Sequence, residues 1–297
     1  MTFRGDAQFD TSAVSRGGGG GRGGAIAIGG GGIVTVLLVI ASMIFGVDLT
    51  GLAPSEPISP QSQQQGQEVT GCTGEDANDP ANVTCRMEGG ADSMSAFWTA
   101  TMAANGLDYA DPTVQLFDRQ VQTGCGAATS AVGPFYCPPD RRIYLDETFF
   151  QDMRTQFGAE GGNLAELYVL AHEWGHHIQQ STGQLSRVEQ GDTGPQSSAV
   201  RSELQADCYA GAWIQGAAET PDDGGGAPVL EQPTEEQLLQ ALDAAETIGD
   251  DRLQEMSGGG VNPEGWTHGS SEQRQRWLMA GVEGGVAACD TWSAAEV

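Results

Sequence analysis

The pentapeptide His172-Glu-Trp-Gly-His176 holds the side chains best suited to chemistry in this 297-residue chain. Residues four apart share one face of an α-helix, so His172 and His176 can direct their imidazoles at one metal ion. Zinc is commonly bound in this way, and it brings the pKa of its water close to neutrality. Glu173 lies beside the pair, where it can accept a proton from that water as a general base. The motif therefore predicts zinc-dependent hydrolysis.

The remaining histidines suggest secondary roles. Three of the four histidines fall on this one predicted helix, which disfavours the alternative that they merely cover an apolar core. His177 points away from the zinc-facing pair, so we expect it to be structural or to support a ligand by hydrogen bonding, and not to be a ligand itself. His268 lies in a loop before the last predicted helix, where it can hydrogen-bond the oxyanion that develops on a substrate carbonyl. Tyr136 and Tyr209 are weaker candidates for that role.

A catalytic zinc site needs a third protein ligand and one open position. The metzincin extension, which supplies a third histidine, is absent after His176. Glu203 and Asp207 are four residues apart on a second predicted helix, among apolar neighbours, which disfavours a pair of solvated carboxylates. Their spacing resembles the gluzincin Glu-x-x-x-Asp element. That resemblance implies that Glu203 is the third zinc ligand and that Asp207 accepts the far N–H of a ligand imidazole, His172.

The elements that must position these residues can be predicted from periodicity and capping signals. Apolar spacing predicts helices over residues 163–180 and 198–217, and capping boxes at Thr234 and Ser270 predict two more. Short β-prone runs between Val114 and Leu145, broken by Gly and Pro, predict a small sheet. We therefore expect an α+β fold, a helical zinc-metallopeptidase core with a small sheet, over residues 71–297.

The N-terminal quarter predicts a membrane anchor. Residues 1–24 read as a Gly-rich cytoplasmic tail, residues 25–47 as one transmembrane helix without a charge, and residues 48–70 as a Pro/Ser/Gln linker. Arginines precede the apolar run, and the next is Arg86, which places the N-terminus in the cytoplasm and the catalytic domain outside. A cleaved signal peptide is the alternative, but the run is long and no clean cleavage site follows.

Composition limits the partners. The net charge is −27 and there is no lysine, which argues against nucleic acid because phosphate binding needs a basic face. The six cysteines allow fifteen disulfide pairings, among which sequence alone does not decide. Locality favours the short loops Cys72–Cys85 and Cys125–Cys137, which leaves Cys208–Cys289. Such bridges would need an oxidising compartment.

Several motifs, the zinc pattern among them, resemble the bacterial "putative neutral zinc metallopeptidase" family. They are Thr123–Gly126, Ser130–Cys137, Ala171–His177, Glu203–Gly211, Ile248–Gln254 and Thr267–Arg274. The resemblance covers roughly residues 110–290. It implies a zinc peptidase, anchored in the cell membrane by one N-terminal helix, that acts on a peptide or protein substrate.

Two alternatives remain open at the level of sequence. One is an extracytoplasmic scaffold that keeps zinc for stability only, but such a site should be closed by four protein ligands. The other is a zinc amidase that acts on cell-wall material, whose reaction uses the same residues. Cleavage assays on unfolded protein and on wall fragments would distinguish proteolysis from amidase activity.

Overall fold

The computed structural model of the protein describes residues 1–9, 13–17, 67–69, 71–222, 225–258 and 260–297. The strands in these ranges are β1 (Val14–Gly17), β2 (Gln67–Glu68), β3 (Thr113–Phe117), β4 (Gln120–Thr123), β5 (Gly126–Thr129), β6 (Phe135–Cys137) and β7 (Arg142–Asp146). The α-helices are α1 (Gly74–Asn78), α2 (Val83–Ala104), α3 (Phe149–Thr155), α4 (Asn163–Ser181), α5 (Ser198–Gly216), α6 (Glu235–Thr247), α7 (Asp250–Met256) and α8 (Ser271–Gly284). The domain is therefore α+β.

Five strands form a mixed sheet in the order β2-β1-β3-β7-β6. The inner strands β1, β3 and β7 run parallel, and the edge strands β2 and β6 pair antiparallel with their neighbours. Val114, Leu116, Ile143 and Leu145 on the inner strands are fully buried, as is typical of parallel strands. β4 and β5 form a separate hairpin. The short strands predicted between residues 114 and 145 correspond to β3, β6 and β7.

The four predicted helices are α4, α5, α6 and α8. The first two end within one residue of the limits predicted for them, and the other two begin directly after the predicted caps Thr234 and Ser270. Both capping boxes form. The hydroxyls of Thr234 and Ser270 accept the backbone N–H of Gln237 and Gln273, and the side-chain oxygens of these glutamines accept the backbone N–H of the cap residues. Helix α2 is an additional element that the pattern did not predict. Residues 85–96 of α2 are buried without interruption, so no polar face marks the helical period.

Close helix contacts at glycines bring the central helices together. A Cβ on Gly281 of α8 would lie 2.0 Å from the carbonyl oxygen of Cys208 in α5, and one on Gly211 would lie 2.1 Å from that of Leu278. Gly175, inside the histidine motif of α4, faces Ala206 of α5 in the same way, at 3.0 Å. Only residues without a side chain allow these backbones to approach so closely. The contacts set α5 between α4 and α8.

The N-terminal residues pack on the domain, although the sequence assigned residues 1–24 to a separate tail. The N–H of Phe3 donates to Asn78 Oδ1 at 2.9 Å, and the Asn78 amide donates back to the Phe3 carbonyl at 2.8 Å. Met1, Phe3 and Val14 are at most 1% exposed. Strand β1 lies inside the sheet, between β2 and β3. The folded body therefore includes residues before the predicted start at residue 71.

The predicted fold is wrong in its transmembrane helix. Within the described ranges, no helix is both long enough and apolar enough to cross a membrane. The longest of these helices, α2, has 22 residues and buries Arg86, Glu88 and Asp92 inside the domain. Such charges are costly in hydrocarbon. The segment proposed for the span, residues 25–47, lies outside the described residues.

All six cysteines are paired in disulfides. The bonds are Cys72–Cys85, Cys125–Cys137 and Cys208–Cys289. This is the pairing that locality favours. The third bond fastens the C-terminal segment to α5, the helix that carries Glu203 and Asp207.

The crossing of α5 and α8 yields the first prediction. Gly281→Ala should lower the free energy of unfolding by about 1–3 kcal/mol, because its Cβ overpacks the Cys208 carbonyl and pushes the helices apart. Urea unfolding monitored by circular dichroism measures the change. Gly260→Ala, which adds a Cβ where no atom lies within 4 Å, is the control and should leave stability unchanged. Equal stability of the two variants would contradict the close crossing.

Candidate metal centre

Helix α4 presents His172, Glu173 and His176 from two successive turns. The imidazole rings of His172 and His176 have centroids 4.9 Å apart and planes at 89°. The helix is buried without interruption from Leu164 to Gln179. This packing fixes the backbone from which both rings project, so the rings converge without a flexible loop.

Glu203 on α5 completes a cluster of three donor groups. Its two carboxylate oxygens lie 3.2 Å from His172 Nε2 and 3.5 Å from His176 Nε2. One donor atom from each of the three residues lies within 4.8 Å of the other two. All three residues are buried, with at most 6% of their surface exposed. Two imidazole nitrogens and a carboxylate oxygen are a donor set that zinc uses in catalytic sites.

Unpartnered oxygens test whether this set fits a metal ion. Glu203 Oε1 and Glu173 Oε2 are buried and have no hydrogen-bond partner among the described residues. A buried carboxylate oxygen without a partner is costly. A cation held by His172, His176 and Glu203 would supply the missing partner of Glu203. The cluster therefore fits a divalent metal.

Asp207 on α5 fixes the orientation of His172. Its Oδ1 lies 2.8 Å from His172 Nδ1 and accepts the Tyr168 hydroxyl at 2.6 Å. Arg274 of α8 donates to both carboxylate oxygens, Nε to Oδ2 and Nη2 to Oδ1, each at 2.9 Å. Burial raises the pKa of Asp207, but Arg274 and His172 outweigh it and hold the pKa below its usual value. With Nδ1 bound to Asp207, the Nε2 of His172 faces Glu203.

Metal binding at His172 is coupled to proton release. Burial lowers the pKa of His172, but Asp207 and Glu203 together outweigh it and raise the pKa to about 10. A ligand nitrogen must be free of its proton, so a metal ion bound at Nε2 would replace any proton held there. The carboxylates of Asp207 and Glu203, which favour the imidazolium, would also balance the charge of such an ion.

Glu173 lies beside the cluster and contacts the sheet. The backbone N–H of Tyr136 in the edge strand β6 is close enough to lower the pKa of this carboxyl group. Burial raises the pKa of Glu173, and the neighbouring His172 and His176 offset only part of this rise. A carboxylate with a raised pKa accepts a proton more readily, as a general base must.

His177 points away from the cluster, as its position on the helix predicts. Its Nε2 lies 2.8 Å from the Ala110 carbonyl, which can only accept, so Nε2 carries the proton. Nδ1 then accepts the Tyr136 hydroxyl at 2.9 Å. Tyr136 is therefore engaged with His177. Tyr209, the other weaker oxyanion candidate, packs edge-on against Trp98, and burial raises its pKa to about 12.

Asp250 holds the loop that carries His268. Its Oδ2 accepts the backbone N–H groups of Thr267, His268 and Gly269 at 2.8, 2.7 and 3.0 Å. The ring Nδ1 of His268 lies 3.0 Å from Thr267 Oγ1 and 3.4 Å from Asp250 Oδ1. Burial lowers the pKa of His268, but Asp250 and the charge of Glu203 raise it overall. His268 is therefore buried within electrostatic reach of the donor cluster.

Three supporting residues were missed by the sequence reasoning: Tyr168, Gln179 and Arg274. Gln179 Oε1 lies 2.8 Å from His176 Nδ1. Tyr168 and Gln179 are four residues before His172 and three after His176, so helical spacing could have identified both. Arg274 is separated from Asp207 by 67 residues, and no sequence spacing signals that contact.

Comparison with known proteins extends over almost the whole chain. A family model described as "Putative neutral zinc metallopeptidase" matches residues 1–292. An uncharacterized protein of Mycobacterium tuberculosis strain H37Rv is 48% identical over 300 residues, 100% of both chains. Another of Escherichia coli K12 is 37% identical over 265 residues, 86% of this chain and 84% of its own. No solved structure matches the chain.

The contacts of His177 predict a pH-dependent stability. Burial lowers the pKa of His177 to about 4 from its ordinary 6.5. Between these values the unfolded chain binds a proton that the folded protein does not. The free energy of unfolding should therefore fall as the pH decreases through this window, by up to about 1.4 kcal/mol per pH unit from this residue. Urea unfolding across the pH range measures the slope.

His177→Gln isolates the contribution, because glutamine keeps a donor and an acceptor but does not titrate. The variant should show a shallower loss of stability than the wild type between pH 6.5 and about 4. Parallel curves for the two proteins would show that His177 does not cause the dependence.

Proposed function

The chain belongs to the family of putative neutral zinc metallopeptidases, and from this premise we propose that it hydrolyses peptide bonds in a peptide or protein substrate. Zinc is the proposed cofactor, held by His172, His176 and Glu203. The observation that carries the proposal is the convergence of three donor atoms within 4.8 Å, with the unpartnered Glu173 Oε2 nearby. A purely structural zinc site would be closed by a fourth protein ligand, whereas this cluster offers three.

The protein's own residues prepare the site for the ion. When bound, zinc supplies Lewis-acid chemistry, since it acidifies water and polarises a carbonyl group. His172 offers its Nε2 because Nδ1 is held by Asp207. Glu203 offers a buried carboxylate oxygen that lacks a hydrogen bond. The burial of all three ligands limits the access of bulk solvent to the donor atoms.

Glu173 is the proposed general base. One of its oxygens has no hydrogen-bond partner and is free to take a proton from the attacking water. Once protonated, Glu173 can pass the proton to the leaving amine, so the same side chain serves both halves of the hydrolysis.

His268 is the proposed oxyanion donor. The loop that carries His268 is fixed by three backbone N–H groups that donate to the Asp250 carboxylate. The buried ring of His268 lies in the electrostatic field of Glu203. A donor held in place before the reaction stabilises developing charge without reorganisation. His268→Ala would then lower the turnover rate more than it changes substrate affinity.

We also propose that the domain works in an oxidising compartment outside the cytoplasm. The support is the pairing of every cysteine in the chain into three disulfides. Disulfides of this kind persist where thiols are not kept reduced. The high acidity of the chain makes nucleic acid an unsuitable partner there or elsewhere.

Substitutions at the cluster separate the base from the ligands. Glu173→Gln keeps the side-chain volume and removes the base, so zinc content should stay near stoichiometric while activity falls about 100-fold or more. Glu203→Ala removes a ligand and should lower both zinc content and activity. Asp207→Ala acts through His172 and should lower metal affinity about 10- to 100-fold. Metal analysis and a chelator-sensitive cleavage assay measure both quantities.

Glu160→Gln is the matched control, because it makes the same chemical change at an exposed carboxylate and should alter neither quantity. The assay uses an unfolded protein and cell-wall fragments in parallel, since a zinc amidase would cleave only the second. Full activity of Glu173→Gln would exclude the mechanism. Loss of zinc from Asp207→Ala with full zinc in Glu203→Ala would make Asp207 the third ligand.

A further inference from the structure

The two ligand histidines are oriented by different kinds of acceptor. His172 is held by the carboxylate of Asp207. His176 is held by Gln179, an amide whose oxygen or nitrogen could face the ring. The Gln179 atom that faces the ring determines whether Nδ1 or Nε2 of His176 carries the proton. Only an unprotonated Nε2 can bind a metal. The orientation of Gln179 is therefore a functional question.

We infer that Gln179 is a positioning residue for His176, and that a relay of amides from the C-terminal segment fixes its orientation. The inference rests on the proposed role of His176 as a zinc ligand. The relay consists of Trp292, Gln205 and Gln179, with backbone carbonyls of Cys289 and Ser202 as its fixed acceptors.

The first link is Gln205, whose neighbours each allow one role. The indole N–H of Trp292 can only donate, and it lies 3.2 Å from Gln205 Oε1. The Cys289 carbonyl can only accept, and it lies 2.9 Å from Gln205 Nε2. A flipped amide would lose both hydrogen bonds. The Gln205 oxygen is therefore oriented toward Trp292 and Gln179.

The second link is Gln179 itself. Its Nε2 lies 2.7 Å from the Ser202 carbonyl and 3.1 Å from Gln205 Oε1, both of which accept. Its Oε1 accepts the Ser202 hydroxyl at 3.2 Å. Both N–H groups of the Gln179 amide therefore donate hydrogen bonds, and the second acceptor position of Oε1 faces His176. Every polar group of this fully buried side chain is then satisfied.

The consequence for His176 follows from the chemistry of a carbonyl oxygen. Because Gln179 Oε1 can only accept, the ring must donate Nδ1–H across the 2.8 Å contact. Nε2 then keeps its lone pair on the side of Glu203, 3.5 Å away. A neutral acceptor thus prepares His176 in its metal-binding tautomer before any ion arrives. The Cys208–Cys289 disulfide anchors the far end of the relay on α5.

Nitrogen NMR of histidine-labelled protein reads the tautomer directly, and the chain has only four histidines to assign. In the metal-free wild type at mildly alkaline pH, His176 should be in the Nδ1–H form. Finding Nε2–H there would overturn the inference. This measurement needs neither zinc nor activity, so it remains decisive even if the proposed peptidase function fails.

Gln179→Met removes the acceptor at similar volume. We expect a mixed tautomer at His176 and a zinc affinity, measured by chelator competition, lowered about 10- to 100-fold. Gln115→Met, which removes a buried amide from β3, is the control for lost stability and should leave zinc affinity unchanged. If Gln179→Met lowers the melting temperature but binds zinc as tightly as the control, Gln179 is only structural.

A second inference follows independently from the N-terminal strand. β1 pairs antiparallel with β2, with Arg16 opposite Gln67, and parallel with β3. The Thr2 carbonyl also accepts the backbone N–H of Glu231 at 2.9 Å. We infer that residues 1–17 occupy the same compartment as residues 67–297, since a membrane cannot separate strands of one sheet. The arginine distribution had predicted opposite sides.

Thiol labelling tests this placement, because the native cysteines are all in disulfides. Gly5→Cys and Leu239→Cys each add one exposed thiol, on the N-terminal segment and on α6. In intact cells, a membrane-impermeant maleimide should label both variants or neither, and in permeabilised cells it should label both. Labelling of Leu239→Cys alone in intact cells, with both labelled after permeabilisation, would overturn the inference.

Discussion

The buried ion pair between Asp207 and Arg274 is the interaction on which the metal centre depends. It joins α5 to α8, and the same carboxylate reaches Tyr168 and His172 on α4. Asp207 and Arg274 are 0% and 2% exposed, so either charge alone would remain in the interior at a cost of several kcal/mol. Both charges are paired only when α4, α5 and α8 pack in the observed way. The same packing directs His172 at Glu203.

The close helix contacts make this pairing possible. Gly211 and Gly281 let α5 and α8 approach until Arg274 reaches across, and Gly175 lets α4 lie on Ala206. Glu173 projects from the same helix as His172 and His176, so the packing that holds the two histidines also places Glu173 beside them.

Sequence reasoning succeeded where the signals are local. His172 and His176 share a helix face, each capping box joins residues three apart, and two disulfides join cysteines separated by 13 and 12 positions. It failed where long-range packing decides. Val14 pairs with Val114, which no local pattern signals, whereas the Gly-rich composition of residues 1–24 had assigned Val14 to a tail. Arg274 lay within a recognised motif, but its partner could be identified only from the fold.

This division limits what the histidine motif can establish on its own. Residues 172–176 supply two imidazoles and a carboxylate on one helix, but their protonation is set from elsewhere. Asp207 on α5 accepts the Nδ1–H of His172. The Cys289 carbonyl fixes the orientation of Gln205, which through Gln179 determines the tautomer of His176. A chain could keep the motif and lose metal binding through a change in its C-terminal segment. The proposed zinc binding would therefore depend on the contacts among α4, α5, α8 and that segment, and not on residues 172–176 alone.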